Sequence, residues 1–201
     1  MAGVTRPSGI LLAGGASRRF GRPKLVEPLD GAPLFHRALR ALVEACEDVV
    51  VVLAPGAPDL PLPDDALRVR FVRDEAAFEG PLAGCRAGLE HARGEYAALL
   101  GADMPGVTGA LISLMASRAG EARAIVLSDG DAPRPLPAVV HVASALALAR
   151  SLIERDERRL RALVDGLGAE SLAEAVWRAV DPAGAWRQDV DAPGDLAPRR
   201  T

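Results

Sequence analysis

Apolar residues fall into two kinds of pattern along the chain, and together these predict alternating strands and helices. Residues 49–53 are a continuous run of valine and leucine, which indicates a buried strand, and residues 10–12 form a second apolar run bounded by glycines. Residues 33–46 instead carry apolar side chains three and four positions apart, the spacing of an amphipathic helix. Pro33 suits the first turn of that helix.

The rest of the chain continues this alternation. Strands are predicted at 8–13, 49–53, 67–73, 95–100, 124–127, 137–142 and 177–180, and helices at 33–46, 82–92, 108–118, 144–155 and 157–167. Such an order predicts a three-layer α/β/α fold with a mostly parallel, Rossmann-like sheet. With 201 residues the chain has the length of a single domain, 1–201, whose ends at 1–7 and 198–201 are expected to fray.

Composition argues against several classes of protein. The net charge of −3 gives no overall attraction to nucleic acid. A signal peptide is not apparent, and no apolar run approaches the ~20 residues of a membrane span. Cys46 and Cys85 lack metal-ligand spacing and are expected to pack as small apolar groups. We therefore expect a cytoplasmic protein with no membrane or nucleic-acid partner.

One loop concentrates the basic chemistry. The chain has 24 basic residues, and Lys24 is the only lysine among them. A lysine that remains in so arginine-rich a chain indicates a position that needs a compact point charge rather than a planar fork. It ends a loop that follows the first predicted strand, contains Gly14 and Gly15, and has four cations and no acid between residues 18 and 24.

Strand, glycine turn and cations together predict a polyphosphate site, because glycines let successive backbone N–H groups face an anion. A solvated basic turn is the alternative. The loop has neither the Gly-Lys-Ser/Thr of a Walker A loop nor the G-x-G-x-x-G of a dinucleotide fingerprint.

Carboxylates mark a candidate metal site. In parallel α/β sheets the ligand crevice lies beyond the carboxyl ends of the strands, where both the glycine loop and Asp103 follow their strands. Asp103 could bind Mg²⁺ through one oxygen while triphosphate and water complete its shell; a turn cap is the alternative. Asp191, with Asp189 beside it, is the candidate second ligand, although Asp-x-Asp before Ala-Pro is equally a turn with a helix cap at Asp191.

Five segments carry a resemblance to a known family. Residues 12–24 resemble the L-A-G-G-x-S-x-R-M-G-x-x-K signature of nucleotidyltransferases with a glycosyltransferase-A-like core. Residues 80–84, 100–105, 134–140 and 189–196 resemble, in order, the G-P-L-A-G, C-D-M-P, Q-P-L-x-A-V-Y and D-I-N-T-P-E-D-L segments of the molybdenum cofactor guanylyltransferase family. That family is the closest resemblance.

The resemblance implies transfer of GMP from GTP to molybdopterin or the molybdenum cofactor, with release of pyrophosphate. It implies Mg²⁺ as cofactor and transient contacts with cofactor-synthesis or acceptor proteins. Asp74 would accept from guanine N1–H and N2–H₂, a donor pair that cytosine lacks; a solvated Asp at a strand end is the alternative. The implied site comprises Leu12, Ala13, Gly14, Gly15, Lys24, Asp74, Gly80, Gly84 and Asp103 for the nucleotide, Arg19 and Lys24 for catalysis, and Asp103 and Asp191 for the metal.

The chain also departs from that family. Pro23 stands where many members have Asp, and Pro-Lys is common among the cytidylyltransferase relatives, while Phe20 replaces the usual Met. The alternatives are therefore a molybdopterin cytidylyltransferase, a related enzyme with a different phosphorylated acceptor, or a nucleotide-binding protein without catalysis. The presence of both Lys24 and Asp103 argues against the last.

Overall fold

A computed structural model describes residues 6–15, 20–74, 80–120, 122–130 and 132–196. The strands are β1 (Ser8–Leu12), β2 (Pro28–Leu29), β3 (Ala32–Pro33), β4 (Asp48–Leu53), β5 (Val69–Arg73), β6 (Tyr96–Gly101), β7 (Ala124–Asp129), β8 (Ala132–His141) and β9 (Glu170–Leu172). The helices are α1 (Phe35–Ala45), α2 (Pro81–His91), α3 (Gly109–Ala119), α4 (Val142–Glu154), α5 (Leu160–Gly166) and α6 (Glu174–Trp177). Short 3-10 helices cover Lys24–Val26, Ala185–Arg187 and Pro193–Leu196.

Within these residues, seven strands form one sheet in the order β5-β4-β1-β6-β8-β7-β9, and β2 and β3 form a separate hairpin. β1 pairs in parallel with β4 and β6, and β4 with β5, so the carboxyl ends of these strands lie at one edge. β8 runs antiparallel to both β6 and β7, while β9 is parallel to β7. The mostly parallel sheet predicted from the sequence is confirmed.

Two apolar clusters lie on opposite faces of this sheet and give the fold three layers. Helices α1 and α3 pack with Leu11 and its neighbours on one face, and α2, α4 and α5 pack with Ile10 on the other. Adjacent residues of a strand point to opposite faces, which is why Ile10 and Leu11 belong to different clusters. Cys46 and Cys85 are buried, one in each cluster, and burial raises the pKa of both thiols to about 12, so they pack as apolar groups.

The strand predicted at 177–180 is wrong. Trp177 ends the short helix α6, and residues 178–180 form a turn. Arg178 donates from Nε to Glu174 Oε1 at 2.6 Å, a pair four residues apart that favours a helical turn. Trp177 is fully buried by its tertiary neighbours, and its apolar character therefore does not reflect a strand.

The ends of two other segments also differ from prediction. Pro33 belongs to β3, and α1 begins two residues later, at Phe35. Arg6 and Pro7 are not frayed: the Glu47 N–H donates to the Pro7 carbonyl at 3.0 Å, and the Arg6 Nε donates to a carbonyl at the end of α1. Residues 1–5 and 198–201, where fraying is also predicted, lie outside the described residues.

No helix in the described parts of the chain combines the length and the apolar character needed to cross a membrane.

Helix α2 lies close to the sheet at Gly88. A Cβ atom there would lie 2.5 Å from Ile10 Cγ2 and 3.1 Å from Val52 Cγ2. One turn earlier, at Gly84, a Cβ would lie 3.7 Å from Val52 Cγ1 and 3.9 Å from Leu12 Cδ2, which is ordinary contact. The two glycines therefore differ in what a methyl group would meet.

We expect Gly88→Ala to lower the free energy of unfolding and Gly84→Ala to raise it. Overpacking a filled core costs about 1–3 kcal/mol, and we place Gly88 in the upper part of that range because the clash is with a β-branched side chain. Alanine in a helix gains about 1 kcal/mol over glycine, and at Gly84 this gain is not opposed. Urea denaturation of both variants measures the difference. Equal stability of the two variants would show that α2 moves off the sheet without cost.

Candidate active site

Three of the predicted site segments begin at the carboxyl edge of the sheet. The Ala102 N–H donates to the Leu12 carbonyl at 3.0 Å, so the loops after β1 and β6 start side by side. Asp74 follows β5, and its N–H donates to the Leu53 carbonyl at the end of β4, also at 3.0 Å. This edge is where a parallel α/β sheet binds its ligands.

The Lys24 ammonium joins these loops to the C-terminal part of the chain. Lys24 is 8% exposed and is the first residue of its 3-10 helix. Its Nζ donates to Asp103 Oδ2 at 2.7 Å and to the Val190 carbonyl at 2.8 Å, and lies 3.5 Å from Asp191 Oδ1. The structure thus brings together Lys24, Asp103 and Asp191, three residues that the sequence assigned to one site.

The segment that carries Asp191 is tied to the Asp103 loop through its backbone. The Val190 N–H donates to the Asp103 carbonyl at 2.9 Å. Asp195 Oδ2 accepts from the Asp191 N–H at 2.9 Å and from the Ala192 N–H at 2.8 Å. Asp195 thus binds the N–H groups at the start of this turn, while the Asp191 carboxylate lies beside Lys24.

Asp189 adds a third carboxylate to this region. Burial raises the pKa of Asp189 above its usual value, and the negative charges of Asp103 and Asp191 raise it further, while Arg134 opposes the shift. Arg134 binds Asp189 directly, with Nη2 2.6 Å from Oδ2. The cluster thus contains three carboxylates and two cations, so negative charge is in excess.

Arg134 was not predicted as a site residue. It forms one of two ion pairs that join the β7–β8 hairpin to the C-terminal segment of the chain. Arg134 of β8 binds Asp189 of the C-terminal segment 178–196, which we call the tail, while Arg187 of the tail binds Asp129 of β7, with Nε 2.6 Å from Oδ1. The two ion pairs run in opposite directions between the β7–β8 hairpin and the tail, so together they fix the position of the tail. The sequence signal for Arg134 was an arginine where the family pattern has glutamine.

The tail is held further by contacts of Arg187 with two tryptophans, which the sequence did not predict. The Arg187 guanidinium carbon lies 4.7 Å from the Trp177 ring centroid and 5.5 Å from that of Trp186. Both tryptophans are fully buried. Buried Asp181 accepts from the N–H groups of Ala185 and Trp186 at 3.0 and 2.9 Å. The local signal that could have indicated this cap is an aspartate placed four and five residues before the backbone N–H groups of a turn.

The glycines assigned to nucleotide binding lie in two places. Gly14 and Gly15 are exposed directly after β1. Gly80 precedes α2 with φ +86°, and a Cβ there would lie 3.0 Å from the Arg158 carbonyl oxygen, so a side chain is excluded at this position. Gly84 faces the sheet within α2, and its exposed fraction is intermediate. Arg19 lies in residues 16–19, outside the described residues.

The donor set at Lys24 is suited to a hard divalent cation. Both acids offer carboxylate oxygens, with Asp103 31% and Asp191 58% exposed, and the ammonium already stands between them as a positive charge. Among the described residues, no three histidine, cysteine or acidic side chains converge as a metal-holding group. An ion here would take carboxylate oxygens from Asp103 and Asp191 and the rest of its shell from phosphate and water, as Mg²⁺ commonly does.

Transfer of a nucleotide needs cations at the triphosphate and carboxylates for a metal ion, and this edge of the sheet provides both. The fold and the site therefore define the class of nucleotidyltransferases. The chain belongs to the MobA-like NTP transferase domain family, whose profile matches residues 9–176. The family resemblance and the enzyme class read from the sequence are confirmed.

Individual relatives are similar over most of their length. A probable molybdenum cofactor guanylyltransferase of Chloroflexus aggregans is 35% identical over 197 residues, covering 94% of this chain and 91% of that protein. One from Haloferax mediterranei is 34% identical over 172 residues, covering 84% and 81%. The crystal structure of molybdopterin-guanine dinucleotide biosynthesis protein A from Archaeoglobus fulgidus has the same fold, with a TM-score of 0.74 at 21% identity over 94% of both chains.

We expect Lys24→Arg to lose most of its activity while the protein stays folded. A guanidinium fork cannot replace a point charge that contacts Asp103 Oδ2 and the Val190 carbonyl at 2.7 and 2.8 Å. Pyrophosphate release measures activity, and thermal denaturation measures folding. The matched control is Arg86→Lys, the reverse exchange at a surface pair with Glu90 on α2, which should keep wild-type turnover. Near wild-type turnover in Lys24→Arg would contradict the role of the point charge.

Proposed function

We propose that this protein transfers GMP from GTP to the phosphate of molybdopterin, or of molybdopterin that already carries molybdenum, and releases pyrophosphate. The observation that carries the proposal is the buried Lys24 ammonium, held by Asp103 and Asp191 at the ligand-binding edge of the sheet. The names of the relatives support the choice of guanine nucleotide and of acceptor. The product is the guanine dinucleotide form of the cofactor.

The reaction is a displacement at the α-phosphorus. An oxygen of the acceptor phosphate forms a bond to that phosphorus as the bond to the bridging oxygen breaks, and pyrophosphate leaves with the electron pair. The protein supplies little covalent chemistry, so catalysis consists of positioning and charge stabilisation. The N–H groups of Gly14 and Gly15 cradle phosphate, and Lys24 and Arg19 neutralise charge on the triphosphate and on the departing pyrophosphate.

Asp103 and Asp191 are the residues that would hold Mg²⁺. When bound, the ion supplies charge neutralisation at the phosphate oxygens and orients them. Arg134 keeps the nearby Asp189 carboxylate paired. Asp189 therefore adds less uncompensated negative charge beside an anionic substrate.

Asp74 is the residue that we propose to recognise the base. It is partly buried and follows β5 at the crevice edge, where its backbone is fixed to the Leu53 carbonyl. A carboxylate accepts from guanine N1–H and N2–H₂ together. Cytidylyl transfer is the second candidate, because Pro23 precedes Lys24 as in the cytidylyltransferase relatives. Pro23 itself opens the Lys24–Val26 helix with φ −63°, so its conformation shapes the loop.

We propose further that the protein acts in the cytoplasm on small-molecule substrates. Its contacts with cofactor-synthesis or acceptor proteins would be transient, and nucleic acid would not be a partner, in keeping with the net charge of −3.

The proposal is tested by measuring pyrophosphate release with each nucleoside triphosphate, Mg²⁺ and molybdopterin. We expect GTP to be preferred over CTP by at least roughly tenfold in kcat/KM, equivalent to about 1.4 kcal/mol in the transition state. A site with a buried acceptor disfavours a base that leaves it unpaired. Preference for CTP would replace the guanylyl assignment with a cytidylyl one, and the absence of release with every triphosphate would refute nucleotidyl transfer to this acceptor.

Asp74→Ala should erode the preference for GTP more than it lowers stability, because it removes the acceptor of the guanine donor pair. Competition kinetics with GTP and CTP against one acceptor give the ratio of kcat/KM values. Thermal denaturation of the same variant gives the change in stability. An unchanged GTP/CTP ratio would mean that Asp74 does not recognise the base.

Asp103→Ala should abolish Mg²⁺-dependent turnover and reduce nucleotide affinity less, because the carboxylate acts through the metal rather than on the base. Asp103→Asn keeps the shape beside buried Lys24 and separates loss of metal binding from loss of folding. Asp191→Asn should be milder, because Asp191 is more exposed than Asp103, 58% against 31%, and lies farther from the Lys24 ammonium. Turnover is measured over a range of Mg²⁺ concentrations. Normal turnover of Asp103→Ala at low Mg²⁺ would show that Asp103 is not a ligand.

A further inference from the structure

The place that Lys24 occupies has the chemistry of a divalent cation site. Its ammonium lies 2.7 Å from Asp103 Oδ2, 2.8 Å from the Val190 carbonyl oxygen and 3.5 Å from Asp191 Oδ1. Carboxylate and backbone carbonyl oxygens are the ligands that hard divalent cations take in proteins. The two residues that would hold Mg²⁺ are therefore already bound to a positive charge that belongs to the chain.

An ammonium and a divalent cation cannot share this position. Lys24 is 8% exposed, so water screens the repulsion between the two charges poorly. A metal ion bound between Asp103 and Asp191 would then force the ammonium away from Asp103 Oδ2. A buried ammonium without a partner is costly, so Lys24 needs another anion when it leaves.

We propose that Lys24 occupies the divalent-cation position between Asp103 and Asp191 in the nucleotide-free protein, and that metal and triphosphate entering together move its ammonium from the carboxylates to the phosphates. This inference rests on the proposed function for the identity of the metal and the nucleotide. Each anion stays paired before and after the exchange, because the metal takes over the carboxylates and the triphosphate takes over the ammonium.

The exchange has a consequence for the ligand-free protein. Lys24 competes with the metal, so divalent ions bind weakly until a triphosphate offers the ammonium another partner. It also gives a second reason for lysine at this position, since an ammonium on a flexible stem can move between two anions whereas a guanidinium fork is held by its geometry.

The first test measures Mn²⁺ binding to the nucleotide-free protein by the loss of the free-ion electron paramagnetic resonance signal. If the ammonium fills the position more than about nine-tenths of the time, its removal raises the apparent affinity by roughly tenfold or more, so we expect this in Lys24→Met. The matched control is Arg134→Gln, which removes a positive charge bound to Asp189 in the same acidic cluster. Arg134→Gln should raise the Mn²⁺ affinity less than about threefold, because it changes only the electrostatic field near the site and leaves the Lys24 ammonium in place.

Equal increases in the two variants would overturn the exchange, because they would show a general effect of charge. No increase in Lys24→Met would overturn it as well. Lys24→Gln repeats the measurement with a side chain that keeps a polar end, so the test does not depend on one variant that fails to fold.

The second test uses the wild-type protein and the fact that Lys24 is its only lysine. An amine-reactive reagent followed by peptide mapping reports Lys24 separately from the N-terminal amine. We expect the labelling rate of Lys24 to rise as Mn²⁺ fills the site, and to fall again when a GTP analogue that cannot be cleaved is added with the metal. A labelling rate that does not change while the metal signal shows the site to be filled would place the ion elsewhere.

These outcomes are separate from failure of the proposed function. An enzyme that releases pyrophosphate from GTP, yet shows no gain in Mn²⁺ affinity in Lys24→Met, would keep its function and lose the exchange. If the protein shows the exchange but releases no pyrophosphate with any triphosphate, the movement of Lys24 on metal binding stands and the proposed transfer reaction is refuted.

Discussion

The pairing of the Lys24 ammonium with oxygens from two distant segments is the constraint on which the site depends. Asp103 lies 79 residues from Lys24 in the sequence, and Val190 lies 166 residues away. A buried charge is tolerated only with partners, so the glycine loop, the β6 loop and the tail cannot be positioned independently. Packing of the tail against the domain therefore positions Val190 and Asp191 beside Lys24.

The tail is held by contacts that lie outside the crevice. Arg187 contacts two buried tryptophans and forms an ion pair with Asp129, and Arg134 binds Asp189. The family profile ends at residue 176, so it includes Asp129 and Arg134 but not their partners in the tail. The domain core thus supplies the sheet edge, Lys24 and Asp103. The tail, which is held in place by its own contacts, supplies Asp191. Substitutions that remove the contacts of Arg187 or Arg134 are expected to act on the site by shifting the segment that carries Asp191.

The sequence singled out residues whose type is unusual in its surroundings, and it did not single out residues whose contacts depend on a distant partner. Lys24 was recognisable as the single lysine of an arginine-rich chain, and Asp103 by its place after a buried strand. Arg134 and Arg187 are two of 23 arginines, and apart from the glutamine that the family pattern has at position 134, nothing local distinguishes them from the others. Their importance comes from Asp189 and Asp129, which lie 55 and 58 residues away in the chain.

The sequence by itself determined the order of the longer strands and helices, because side-chain periodicity follows directly from local backbone geometry. The short elements β2, β3, β9 and α6 were not predicted. The sequence also predicts a polyphosphate loop, since glycine and clustered cations carry that chemistry locally. Only the tertiary structure decided that 177–180 is a helix end and turn, because Trp177 is buried by Trp186 and Arg187 rather than by strand neighbours. It alone placed Asp191 beside Lys24 while Asp195 capped the turn, because contact between charges far apart in the chain is set by folding and leaves no local pattern.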